Sequence, residues 1–329
     1  MSNELVSVVM ATYNGERYLR QQLDSILEQS HQRFELIVVD DASTDGTLSI
    51  LEKYAALDDR IQVFRAEKNL GLVANFQRGL MLVNGDYIAL ADQDDIFHKD
   101  KIGTMLAVLK AHPRCDLAVS DLSLVDEEGN EMAVSMWRYQ KLGPMQGKPF
   151  RRLLIDNFAT GCAMMFRHRL LKIALPFPPE CLVHDWWLAV VAASAKGGGI
   201  CLVKQPLTAY RQHRANVIGA KEEKPVTVNT ISARIQAPPR GLAIFNKRTN
   251  DLKPHIARLG GYLCRDDWSV KDRLMIEETK DTLEGYLADA QNNLWHRLTK
   301  LPQRLRCAAT TGSLARCLVA VYVTIWPLK

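Results

Sequence analysis

The chain has 329 residues, 47% hydrophobic and 24% charged, which suits one large α/β domain with an appendage, or two domains, of an ordinary globular protein. Seven cysteines, an odd number without a CxxC pair, suit free thiols rather than a disulfide framework. The net charge of +5 hides an asymmetry: residues 200–329 carry 21 Lys and Arg against 11 Asp and Glu, leaving 21 against 26 for residues 1–199.

The basic part has no stacking motif, so nucleic acid is not an expected partner. The first residues, MSNELVSVVM, lack a basic stretch and a cleavable apolar core, and no secretion signal is expected. No apolar run reaches the ~20 residues that a membrane span needs.

Short β-branched runs at Leu5–Ala11 and Phe34–Val39 predict buried strands. Between them Leu19, Leu23, Ile26 and Leu27 fall on one helical face. A helix from about Thr47, a strand at Ile61–Phe64, a helix over Val73–Leu82 and a strand at Tyr87–Ala91 complete a βαβαβαβ alternation. That order predicts a parallel sheet covered on both faces, with ligands beyond the carboxyl ends of its strands. Further on, a helix is expected at Lys101–Lys110 and extended chain at Asp116–Leu124. A strand at Gly161–Phe166, a helix at Asp185–Ala195 and a strand at Ile200–Val203 follow. Residues 219–250 read as an irregular connection, with about three helices after it.

Acidic residues collect where the strands end. In VVDDASTDGT, Asp40 and Asp41 close the second strand and Asp45 is placed to cap the next helix. Either this is a capped turn, or Asp41 accepts a hydrogen bond from a base N–H with Asp40 near a ribose. In YIALADQDD the next strand delivers Asp92, Asp94 and Asp95 within four positions. Carboxylates this close repel unless a cation lies among them, so these residues form either a solvated turn or a metal site. Neither GxGxxG after a strand nor GxxxxGK[ST] is present, so Mg²⁺ or Mn²⁺ bridging carboxylate to diphosphate is the remaining way to hold a phosphate. In CLVHDWWLAVV, Asp185 reads either as a helix N-cap or as a general base shielded by indole. In YRQHRAN, Arg211, His213 and Arg214 either face solvent or neutralise a departing diphosphate.

Together VSVVMATYNGERYL, ELIVVDDASTDGT, GDYIALADQDD, HDWW and YRQHRAN resemble the inverting family 2 glycosyltransferases of GT-A, Rossmann-like fold, in particular bacterial O-antigen glucosyl- and rhamnosyltransferases. The resemblance covers about residues 5–220 and implies a catalytic domain at 1–220, followed by a linker and basic helical region at 221–329. It implies that Thr12, Tyr13, Asp40, Asp41, Asp92, Arg211 and His213 contact the nucleotide sugar. It further implies that Asp92 and Asp94 form a DxD metal site and that Asp185 is the base. UDP-glucose is the leading donor, dTDP-rhamnose the alternative, and a lipid-diphosphate-linked saccharide the acceptor. Ala11 stands where proline is frequent, and the QxxRW motif of processive synthases is missing, which argues against a polymerising enzyme. A non-catalytic sugar-binding module is the competing class, but it has no use for Asp185 beside metal-binding acids.

After Asp289 no acid follows. Leu294, Leu298, Leu301 and Leu305 repeat at helical spacing, with Arg297, Lys300 and Arg304 on another face, and Pro302 is placed to open a second helix. The apolar stretch Cys317–Leu328 is too short to span a bilayer and suits its interface. The expectation is peripheral attachment to the anionic cytoplasmic face of the bacterial inner membrane, against a helix packed on the catalytic domain.

Overall fold

The computed structural model describes residues 4–154, 156–179, 181–194, 196–213, 257–265 and 268–289. The chain divides into two compact units. The first comprises Met1–Pro149, Phe158–Phe177 and Cys181–Glu222; the second comprises Phe150–Asn157, Pro178–Glu180 and Glu223–Lys329. The irregular connection expected at 219–250 and the tail beyond Asp289 lie outside the described residues.

The first half follows the expected alternation: β1 (Val6–Thr12), α1 (Leu19–Leu27), β2 (Phe34–Asp40), α2 (Thr47–Ala55), β3 (Ile61–Arg65), α3 (Leu72–Leu80) and β4 (Tyr87–Asp92). The two-residue β5 (Ile96–Phe97), α4 (Lys101–Ala111), β6 (Leu117–Val125) and β7 (Glu131–Ala133) come next. Then follow the short helices α5 (Met136–Tyr139) and α6 (Phe150–Leu153), β8 (Met164–Arg167), α7 (Leu171–Ala174), α8 (His184–Ala193) and β9 (Ile200–Arg211). Sheet order is β3-β2-β1-β4-β8-β6-β9-β5, with β7 beside β6. Strands β3, β2, β1 and β4 are mutually parallel, β8 runs antiparallel to both its neighbours, and β9 runs parallel to β6.

Every residue of β1 and β2 is buried, as an inner parallel strand covered on both faces requires. Leu19, Leu23 and Ile26 of α1 pack with Val8, Met10, Leu36 and Val38 into the core on one face. On the other face α3 lies so close that a Cβ at Gly79 would fall 2.6 Å from Val9 and 3.2 Å from Val39. Side chains of α3 also reach strand ends: Asn75 donates to the Val39 carbonyl at 2.7 Å, and Arg78 to those of Phe64 at 2.7 Å and Asp40 at 3.1 Å.

Two elements differ from expectation. The strand at Gly161–Phe166 is a 3₁₀ turn over Gly161–Ala163 that leads into β8. The strand expected to stop at Val203 runs on to Arg211, because register shifts against β6 absorb Pro206 opposite Asp121. Proline donates no ladder hydrogen bond and is tolerated in a strand at such irregularities.

In the second unit, the helical residues 257–263, α6 and the helix Val270–Asp289 share a small core around Leu259, Tyr262, Trp268, Ile276 and Phe150. Phe150 meets Trp268 edge-on at 5.6 Å, and Arg151 pairs with Glu278 at 2.7 Å. Among the described residues no helix is long and apolar enough to cross a membrane.

The close approach of α3 sets a stability expectation. Gly79→Val should overpack the contact with Val9 and Val39 and lower unfolding free energy by ~1–3 kcal/mol. A urea melt would show this as a lower midpoint at unchanged slope; an unchanged midpoint would mean that α3 is not held against the sheet.

Candidate active site at the carboxyl rim

Parallel pairing brings the strand ends to one level. Thr12 pairs with Asp40, and Ala11 with Asp92, so the ends of β1, β2 and β4 form one rim. The loop after β1 crosses this rim. Tyr13 exchanges two hydrogen bonds with the Gln93 amide, at 2.9 and 3.0 Å, and Gly15 lies where a Cβ would fall 2.1 Å from that amide. Asn14, at a positive φ of 49°, donates from its backbone to Ser43 and accepts from Thr44.

The first acid pair divides its labour. Asp40 is fully buried and accepts from Thr12 Oγ1 at 3.0 Å, Ser43 Oγ at 2.5 Å and the Ser43 backbone at 3.0 Å. The Asp40 oxygens thus build the turn, in keeping with the capped-turn alternative, and are enclosed. Thr12 is likewise buried, and its hydroxyl serves Asp40. Asp41 accepts from the backbone N–H groups of Leu70 at 2.7 Å and Gly71 at 2.9 Å, fastening the segment that opens α3. Asp45 accepts from Thr47 N at 3.0 Å from the turn before α2, whose N-cap is Gly46, so Asp45 is not itself the N-cap.

The second acid group surrounds the end of β4. Asp94 Oδ2 lies 2.7 Å from His213 Nε2. Asp95 is fully buried; its Oδ1 accepts from Arg211 N at 3.0 Å, and its Oδ2 has no hydrogen-bond partner among the described residues. Asp92 is partly buried and is pushed up to about 7, by desolvation first and then by the charges of Asp94 and Asp185. Burial, followed by the same kind of repulsion from Asp94 and Asp92, pushes Asp95 well above the usual carboxylate range. Lys101, at the start of α4, lies beneath this group with its side chain out of solvent. Its ammonium donates to the Cys162 carbonyl and to Thr208 Oγ1, and sits 3.4 Å from the Phe97 ring centre. Burial holds it down at about 8.

Asp185 is the second residue of α8, whose N-cap is Val183, so the N-cap reading of Asp185 is not met. Its Oδ2 instead accepts from Gly161 N at 2.8 Å, and it is close enough to Asp92 to raise that residue's pKa. Trp187 is core, donating to the Ala174 carbonyl at 2.8 Å. His184 is buried, stacked on Phe76 at 3.8 Å, and neither ring nitrogen has a partner among the described residues.

Arg211 is enclosed by acceptors. Its Nε donates to the Asp94 carbonyl, Nη1 to the carbonyls of Asp126 and Glu127, and Nη2 to Gln21, while the guanidinium covers the Tyr18 ring. Buried and hydrogen-bonded to these acceptors, it braces Asp94 and Asp95. His213 comes to the rim through Asp94. Arg214 lies outside the described residues. Gln93, Lys101, Gly161 and His184 were not expected from sequence; only the placement of Gln93 and Lys101 beside the acidic run hinted at them.

The acids of Asp92, Asp94, Asp95 and Asp185 outnumber the cations of Lys101 and Arg211 around them. That excess, with oxygen donors and one imidazole, fits a divalent cation of the Mg²⁺ or Mn²⁺ type.

A Rossmann-like sheet of this order with an acidic rim is the GT-A fold, and known structures share it. Staphylococcus aureus TarS residues 1–349 align over 97% of this chain and 88% of theirs, at TM-score 0.56 and 18% identity. The mannosyltransferase PcManGT of Pyrobaculum calidifontis, in complex with GDP-Man and Mn²⁺, aligns over 98% and 79%, at TM-score 0.51 and 18% identity. The family model for glycosyl transferase family 2 matches residues 7–173, just over half of the chain, and the chain belongs to that family. It is 37% identical over 128 residues to a Bacillus subtilis protein named for teichuronic acid biosynthesis, TuaG, covering 39% of this chain and 50% of that one. It is 38% identical over 151 residues to B. subtilis EpsE, named as a glycosyltransferase, covering 45% and 54%. The chain thus spans about half the length of these relatives.

The buried imidazole gives a pH expectation. Desolvation lowers His184 from 6.5 to about 3, so below pH 6.5 the unfolded chain takes up a proton that the folded chain refuses. Stability should therefore fall as pH drops from 6.5 toward 3, by up to ~1.4 kcal/mol per unit. His184→Phe keeps a ring on Phe76 and should flatten this limb in a plot of Tm against pH; an unchanged slope would show that His184 does not carry it.

Proposed function

We propose that this chain is a metal-dependent, inverting glycosyltransferase. In this reading it moves a hexosyl group from a nucleoside-diphosphate sugar to a hydroxyl of a surface-polysaccharide precursor. The observation that carries the reading is the meeting of Asp185 with the Asp92–Asp94 group at one strand rim, where each acid has a different environment. Asp92 and Asp94 would hold the cation, with His213 orienting Asp94 and Arg211 bracing it from behind. When bound, the cation supplies the positive charge that a departing diphosphate requires. Asp41 and Tyr13 line the side expected for the nucleotide, and Thr12 with Asp40 fix the turn that presents Asp41.

Asp185 would act as general base. The acceptor oxygen bonds to the sugar C1 while the bond from C1 to the diphosphate oxygen breaks on the opposite face. The acceptor proton passes to the Asp185 carboxyl, and the nucleoside diphosphate leaves with the bonding electrons. Gly161 N donates to one oxygen of Asp185 and so fixes the orientation of the carboxyl. A single displacement of this kind inverts the anomeric centre. UDP-glucose is the leading donor, dTDP-rhamnose the second, and a lipid-diphosphate-linked saccharide the acceptor. Support for this choice comes from the motif resemblance and from the relatives named for surface-polymer synthesis.

Asp185→Asn is the decisive variant, because its amide oxygen can still accept from Gly161 N but cannot take the proton. Transfer, read as nucleoside diphosphate released with acceptor, should fall by ~10²–10⁴-fold with donor affinity little changed. Asp94→Ala should instead abolish Mn²⁺-dependent donor binding. Normal turnover in Asp185→Asn, or full activity in EDTA, would overturn the mechanism.

The acceptor class carries a second expectation, for residues 290–329. A basic tail gains about 1 kcal/mol for each Lys or Arg near an anionic leaflet. Deleting 290–329 should release the protein from anionic vesicles while a soluble acceptor analogue is still glycosylated. Equal vesicle binding by the full and shortened chains would remove the membrane role.

A further inference from the structure

Behind the rim lies a donor set of different chemical character. A carboxylate oxygen of Asp92, a carboxylate oxygen of Asp95 and Cys162 Sγ all lie within 4.8 Å of one another. Asp95 and Cys162 are buried, and Asp92 is partly buried. A separate observation marks this cluster as more than a group of acids. Asp95 Oδ2 is shut off from solvent and has no hydrogen-bond partner among the described residues, although Oδ1 is taken by Arg211 N. The neighbouring Cys162 thiol is a weak donor, so a carboxylate oxygen desolvated in this way is poorly compensated for its lost water. Lys101 is near, but its ammonium is directed to the Cys162 carbonyl and Thr208.

Two oxygens and one sulfur are a poor set for Mg²⁺, which demands oxygen ligands in octahedral array. They suit Zn²⁺, which binds thiolate and carboxylate together and accepts three protein ligands with a fourth position left to water. We propose that Asp92, Asp95 and Cys162 form a thiophilic cation site that takes Zn²⁺ and opposes sugar transfer through the shared Asp92. On binding, the Zn–S bond replaces the S–H bond of Cys162 and its proton passes to solvent. The ion then draws Asp92 inward, away from the cation held with Asp94. This inhibitory half rests on the reading that Asp92 serves transfer; the binding half does not.

Co²⁺ is the probe for binding, since sulfur ligation gives it a near-ultraviolet charge-transfer band. Titrating Co²⁺ into the full-length, metal-stripped protein should raise that band to one ion per chain, and Zn²⁺ should bleach it. Cys162→Ser should lose the band and weaken Zn²⁺ binding by at least the ~10-fold that loss of an outer-shell partner costs. Asp95→Asn retains an oxygen for Arg211 N and should also weaken Zn²⁺ binding. In assays with Mn²⁺, Cys162→Ser should transfer sugar as before but need more Zn²⁺ for half-inhibition. Absence of the band in the native chain, or its persistence in Cys162→Ser, would overturn the site. A Cys162-dependent band without Zn²⁺ inhibition would overturn the link through Asp92. A chain that transfers no sugar yet shows the band would instead remove the reading under Proposed function.

Discussion

Electrostatic repulsion among the carboxylates at the end of β4 is the constraint on which the rest of the rim depends. Parallel pairing of β2, β1 and β4 forces their carboxyl ends to one level, and the chain places an acid at two of those ends. Asp92, Asp94 and Asp95 then sit in a setting that burial makes poor in solvent screening. The protein answers from below and behind: Lys101 lies under the group, and Arg211 binds the backbone of Asp94 and the side chain of Asp95. Neither cation ends the negative excess. Residual charge of this kind is costly to folding, and the raised pKa values of Asp92 and Asp95 relieve it in part.

Supporting residues acquire their meaning from that excess. Gln93, which separates two of the acids, turns away from them and clasps both backbone groups of Tyr13. Asp40 and Asp41 are adjacent in sequence, yet one builds the turn and the other holds Leu70 and Gly71, so the loop before α3 is tied to the same rim. Asn75 and Arg78 add further ties from α3 to the carbonyls at the strand ends. The loops around the rim are therefore held by side chains that run crosswise between strands, and a change in one of them shifts its neighbours.

The alternation of elements through β4 was legible in the sequence because strands buried on both faces read as unbroken apolar runs, and α1 showed its inward face by spacing. The acidic strand ends were legible for the same reason, since a charged residue stands out after such a run. The reach of β9 was not legible, because Pro206 normally ends a strand and only pairing with β6 shows the irregularity that accommodates it. Lys101 was not legible either: a lysine at the start of a helix is ordinarily solvated, and nothing local indicates that β9 and the turn at Cys162 close over it. The acceptors of Arg211 were not legible either. A cation beside His213 after a strand suggested a phosphate contact, whereas its acceptors come from residues more than 80 positions earlier in the chain.

A buried acid is not in itself a sign of chemistry, and the opposite end of the sheet shows why. Glu35, near the start of β2, is as enclosed as Asp185, yet both its oxygens are supplied with donors. Ser7 Oγ and Asn84 N donate to one at 2.5 and 2.7 Å, and Asn84 Nδ2 and Gln62 to the other at 3.0 and 3.4 Å. Those donors are neutral, come from three neighbouring segments and tie strand starts together, which is a purely structural use of a carboxylate. At the carboxyl rim Asp40 is supplied in the same way, but Asp95 keeps one oxygen without a hydrogen-bond partner among the described residues, and Asp92 is held near charges of its own sign. Glu35 and Asp95, both buried, thus differ in how fully their oxygens are supplied with donors. It is the supply of donors, more than the number of acids, that distinguishes Glu35 from Asp95.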